Sequence, residues 1–138
     1  AQALGGYARL KSKVPPRLSE FAILVTARLW RAHYEWYAHA PIAARAGIKP
    51  KTIAALRAGR APIGAPRDER AVYDFVHELY RTRRVSDRTY RRLHDVLGDE
   101  ATVELVGIIG YYGLVAMSLN VFRMLPPDEV PLPFGREP

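Results

Sequence analysis

The segment VELVGIIGYYGLVAMSLN, residues 103–120, constrains the fold more than any other part of the chain. Residues 105–119 are almost wholly apolar. They lack strand-like alternation, and their pattern is helical. Gly107, Gly110 and Gly113 recur at every third position inside this stretch. A glycine in a helix interior costs about 1 kcal/mol relative to alanine. Three of them mark places where another helix comes close, from within the chain or from a second subunit. A phosphate loop is a poor alternative, because no strand precedes the glycines. The apolar run is shorter than the ~20 residues a membrane span needs, and Glu104 and Asn120 flank it. It is expected to be a buried helix of a soluble, cytoplasmic protein with no membrane partner.

The rest of the chain is punctuated in the same helical manner. Residues 9–14 are basic and end at Pro15-Pro16. A helix is expected from about Ser19, with an apolar stripe of Ile23, Ala27, Trp30, Tyr34 and Tyr37, interrupted at Pro41. A short helix ending at Gly47 follows, then one over 49–58 stopped by Gly59. Residues 60–66 hold Pro62, Gly64 and Pro66 and read as a loop. An amphipathic helix over 69–84 presents Val72, Phe75, Val76, Leu79 and Tyr80. Ser86 is a candidate cap for a helix that stops at Gly98. The last helix is expected over about 100–124, and residues 128–138 form a proline-rich tail. The sum is an all-α, single-domain bundle of about six helices over residues 1–138.

Charge and cysteine usage bound the chemistry. The 138 residues include 21 basic and 14 acidic ones, a net charge of +7. Seventeen of the basic residues are arginines, whose planar fork suits carboxylates and phosphates. An anionic partner is therefore expected, although an arginine-rich solvated surface explains the same surplus. There is no cysteine. Disulfides, thiol peroxidase chemistry and thiolate metal ligation are excluded for this chain.

Two constellations compete for function. If residues 19–40 form one helix, Glu20, Leu24, Arg28, Arg31, Glu35 and His39 share an arc of about 100°. Alternating charges on one face also make a solvated, self-paired surface, so spacing leaves both readings open. Glu35 and His39 stand four apart, where a carboxylate can orient an imidazole for acid–base work. Tyr34, Trp36 and Tyr37 can wall off water nearby. Glu20 and Glu35 would lie about 22 Å apart along a straight helix, so they can meet only if the chain folds back or subunits share the site. A metal is not expected. Glu35 and His39 offer two ligands, and no third stands at a diagnostic spacing.

The rival is PIAARAGIKPKTIAALRAG, residues 41–59, which fits a helix-turn-helix. It would insert Lys49, Lys51 and Thr52 into a major groove. Such patterns also arise from two ordinary packed helices, and nucleic acid is not the expected partner. The cluster RTRRVSDRTYRR, residues 81–92, carries six arginines and reads as a phosphate-binding or solvated corner.

The stretches EFAILVTARLWRAHYEWYAHAPIAARAGI, ERAVYDFVHELYRTRRVSDRTYRRL and VELVGIIGYYGLVAMSLNVF together resemble the carboxymuconolactone decarboxylase family. The resemblance runs from about Gly5 to Pro127. Members usually carry more residues before Gly5, so an N-terminally shortened form is expected. The resemblance implies an alkylhydroperoxidase D-like helical fold assembled as a trimer or hexamer. In the thiol-bearing branch a glutamate precedes a Cys-x-x-Cys pair and a histidine follows it. Glu20 matches that glutamate and His39 that histidine, while Ala32 and Glu35 occupy the cysteine positions. The redox chemistry is therefore not expected here. The match also implies a fold-back near residues 30–32. A cofactor-free, decarboxylase-like enzyme acting on a small carboxylated lactone or related acid is expected instead. His39 would donate the proton, Glu35 would orient it, and Glu20 would share or relay it. Charge logic adds Arg28 or Arg31 as binders of an anionic substrate, with Tyr34 and Tyr37 lining the pocket. A helix-turn-helix regulator and a non-catalytic helical oligomer are the alternatives.

Overall fold

A computed structural model describes residues 2–136. Its helices, in chain order, are α1 (Gln2–Leu10), α2 (Pro16–Trp30), α3 (His33–Arg45), α4 (Pro50–Arg57), α5 (Arg67–Thr82) and α6 (Asp87–Val121). No strand occurs among the described residues.

Helix α2 is the centre of the bundle and packs against α3, α5 and α6. Leu18, Phe21, Ala22, Ile23, Leu24, Val25 and Ala27 are all buried. A helix apolar on nearly every side has no solvent face to present and must be surrounded. Pro16 starts it at a position where the missing N–H costs nothing. From α5, Ala71, Val72, Phe75 and Val76 close one side. From α6, Leu105, Ile108, Ile109, Tyr112 and Ala116 close another. Arg17 ties the start of α2 to α5, bonding Glu69 at 2.7 Å and pairing with Asp68.

The expected apolar helix at 103–120 is the second half of α6. Gly98, at φ +77° and ψ −179°, breaks the helical path, and Ser86 caps the first half by accepting from the Thr89 N–H at 3.3 Å. Gly113 is needed where it stands. A Cβ there would lie 2.5 Å from the Tyr80 hydroxyl, which donates to the Ile109 carbonyl at 2.6 Å. Gly107 and Gly110 meet nothing within 4 Å. They belong to an outward face with Val103, Val106, Leu114, Met117 and Val121, all substantially exposed. By length and composition α6 would also qualify as a membrane span; its inner face forms core contacts with α2 and α5.

Four boundaries differ from the sequence reading. Residues 2–10 form a helix that the basic segment before Pro15 concealed, with Gly5 seated under the Tyr111 ring. The helix expected to run through Tyr37 ends at Trp30. Pro41 lies inside α3 rather than ending a helix. Pro41 and Tyr37 both sit on its exposed side, where water can serve the Tyr37 carbonyl deprived of its helical donor. The last helix stops at Val121, short of residue 124.

Candidate active site

The break between α2 and α3 makes the site possible. Arg31 adopts a left-handed conformation, φ +50° and ψ 35°. Its N–H bonds the Arg28 carbonyl at 3.1 Å, and the Ala32 N–H reaches back to the Ala27 carbonyl at 2.9 Å. This is a Schellman termination, with buried Ala27 and Ala32 as its apolar contact. The Asn120 side chain donates to the Trp30 carbonyl at 2.7 Å and serves another open end of α2. A non-glycine residue in this conformation costs about 1–2 kcal/mol. The termination occurs without the glycine that would have announced it.

The reversal lays α3 against α2. Glu20 on α2 and His39 on α3 meet, with Nδ1 of His39 2.8 Å from Oε2 of Glu20. Both side chains are largely enclosed, at 12% and 11% exposure. The Tyr112 ring of α6 stands edge-on to the imidazole at 5.0 Å. Glu20 rather than Glu35 is therefore the carboxylate in contact with His39. Tyr112 lies 73 positions further along the chain, and no spacing rule connects it to the couple.

Glu35 is the more unusual group. It lies in the first turn of α3, is 2% exposed, and neither carboxyl oxygen has a hydrogen-bond partner. Burial disfavours the charged form and pushes its pKa up to about 8. At neutral pH it is a carboxylic acid. Trp30 Nε1 is likewise buried without a partner. Tyr80 is close enough to sense Glu35. Burial is the main cause of that phenol's raised pKa, and the Glu35 charge adds to it. Three groups able to hold or move a proton, Glu20, Glu35 and His39, thus lie on adjacent helices.

The other expected site residues lie elsewhere. Arg28 and Arg31 engage the C-terminal segment. Arg31 donates to the Phe134 carbonyl at 2.8 Å, and the Arg28 guanidinium stands 5.3 Å from the centre of the Phe134 ring. Tyr34 and Tyr37 face outward, at 37% and 38% exposure, with their rings 6.0 Å apart. They belong to neither the core stripe nor the couple. Among the described residues no group of three or more His, Asp or Glu side chains could hold a metal.

The helix-turn-helix reading requires Lys49, Lys51 and Thr52 on one open face. Thr52 is 3% exposed and belongs to the packing of α4. Residues 41–59 are two packed helices joined at Gly47, whose φ of +106° makes the turn.

The profile of the carboxymuconolactone decarboxylase family matches residues 1–78, which hold α1 to α4, most of α5, and Glu20, Glu35 and His39. The α6 segment that also carried the resemblance lies beyond the match. No curated protein and no solved structure matches the chain. With more than half its length matched, the chain belongs to the carboxymuconolactone decarboxylase family.

Proposed function

We propose that the chain is an acid–base enzyme of the decarboxylase type, acting on a small carboxylated lactone or related β-keto-type acid. The carrying observation is the enclosed Glu20–His39 couple, with a carboxyl group that burial keeps protonated one helical turn before His39 on α3. When the bond to the carboxylate carbon breaks, carbon dioxide leaves and its electron pair moves into the neighbouring carbonyl, which becomes an enolate. The site must then stabilise that oxyanion and return one proton to carbon. Glu20 holds Nδ1 of His39, which leaves Nε2 to deliver the proton. Glu35, as a neutral acid, donates a hydrogen bond to the developing oxyanion. With no thiol in the chain, the peroxidase activity of the thiol-bearing branch has no nucleophile.

The same reading includes self-association as a trimer or hexamer. Val103, Val106, Gly107, Gly110, Leu114, Met117 and Val121 fall within about 100° of one another around α6. Two small residues between larger apolar ones suit the close approach of a second copy.

The test is carbon dioxide release from a panel of lactone and β-keto acids. A single acid–base group contributes about 10²–10⁴-fold in rate, so His39→Ala should lower turnover on an established substrate by that factor. A loss of less than tenfold would remove His39 from the mechanism.

A further inference from the structure

Trp36, Ala40 and Ala44 of α3 border a groove of about 750 Å³ between α3, α4 and the C-terminal segment. Ala40 and Ala54 contribute to its floor, and their short side chains leave the space open. Trp36 and Phe134 form an aromatic wall, with their rings meeting edge-on at 5.3 Å. Arg28 and Arg57 line the same groove.

The two arginines are held in a particular way. Arg28 Nε donates to the Arg57 carbonyl at 3.0 Å, and Arg57 Nε donates to the Pro133 carbonyl at 2.8 Å. Each guanidinium is fixed through its Nε, and its terminal nitrogens are left to other partners. Among the described residues no carboxylate pairs with either one. An otherwise unpaired guanidinium at the edge of apolar surface recognises a planar anion through two parallel N–H bonds. The floor beside it favours a body without charge.

We propose that this groove binds a small monocarboxylate with a compact apolar body, its carboxylate held by Arg28 and Arg57 and its body lying against Trp36 and Phe134. A neutral ligand would leave both cations unmatched. A dianion would carry its second charge onto apolar surface at a desolvation cost. Glu20, Glu35 and His39 do not line the groove, so the inference stands apart from the decarboxylase reading.

Benzoate is a suitable probe, followed by calorimetry and by the fluorescence of Trp36 at the groove wall. The expected result is saturable binding of one benzoate per chain. A hydrogen bond to a charged group is worth roughly tenfold or more in affinity. Arg57→Gln should therefore weaken binding by at least that factor, and benzamide, the neutral isostere, should fail to compete. Arg57→Lys should also weaken it, because the charge remains and the fork is lost. Near-UV circular dichroism confirms the fold of each variant. His39→Ala should bind benzoate as the parent does. The proposal is overturned by no saturation up to ~10 mM benzoate, a concentration near the weak end of specific binding. Equal affinity for benzamide, an unchanged Arg57→Gln variant, or loss of binding in His39→Ala would overturn it as well. The last result would place the carboxylate at the acid–base couple.

Discussion

Glu35→Gln isolates the energetic consequence of burying a carboxyl group without a partner. The folded chain holds the Glu35 proton up to about pH 8, against an ordinary value of 4.5. Folded protein thus binds more protons than unfolded protein between those limits. The stability this proton contributes is complete below about pH 4.5, declines as pH rises, and is lost above about pH 8. One pH unit in that window corresponds to about 1.4 kcal/mol, and the whole shift to roughly 5 kcal/mol. Glutamine fills nearly the same volume and does not titrate. Its own unpartnered amide adds an offset that does not depend on pH. Urea unfolding of both proteins at a fixed protomer concentration gives the difference directly, and other titrating groups cancel in it. Between about pH 5.5 and 7.5 the parent should lose roughly 3 kcal/mol relative to Glu35→Gln. Parallel pH profiles would refute the reasoning, since Glu35 would then be ionised and solvated or paired in the folded protein.

Other perturbations test the frame around the site. Arg17→Met leaves Glu69, 2% exposed, without its cation, and should cost about 3–5 kcal/mol in urea unfolding. Gly113→Ala gains about 1 kcal/mol of helix propensity but forces the Tyr80 hydroxyl off the Ile109 carbonyl. Displacing a packed, hydrogen-bonded ring should win, giving a net loss of about 1–3 kcal/mol and a lower melting temperature. On the proposed self-association through α6, Leu114→Asp on its exposed face should leave the helical circular dichroism unchanged and reduce the mass seen by light scattering to that of a monomer. An unchanged mass would locate any subunit contact elsewhere.

Much of the bundle was legible because burial writes periodicity into a helix. Val72, Phe75 and Val76 of α5, and Ser86 and Gly98 of α6, lie where spacing and cap chemistry put them. The reversal between α2 and α3 was not legible from local pattern. Residues 19–40 keep helical periodicity through the break, and the left-handed residue there is Arg31 rather than glycine. Beyond the local Schellman bonds, the groups that hold that turn are tertiary: the Asn120 amide on the Trp30 carbonyl and the Phe134 carbonyl on the Arg31 side chain. Only family resemblance carried the turn. Treating α2 and α3 as one helix also placed Tyr34 and Tyr37 on the core stripe, because a missed break rotates every residue after it. The carboxylate that His39 meets is hidden from local pattern for the same reason. Position i,i+4 made Glu35 the near neighbour, whereas the fold brings in Glu20 from nineteen residues away.

The first turn of α3 exerts two opposite pulls on Glu35. The helix N-terminus favours an anion by about 0.3–1 kcal/mol, and by up to ~2 kcal/mol in the best partly buried cases. Burial without a hydrogen bond favours the neutral acid by roughly 5 kcal/mol, the free-energy equivalent of its raised pKa. Burial wins, so Glu35 at neutral pH is a neutral acid and not an anion. A thiolate in that turn would draw on the helix dipole to become a nucleophile; a protonated carboxyl can only donate. The catalytic rate should therefore fall as pH rises through about 8, where Glu35 gives up its proton. Glu35→Gln keeps a donor in place that cannot titrate and should flatten that limb of the profile. If the rate of the Gln variant still falls near pH 8, another group sets the limb and Glu35 is only a buried acid.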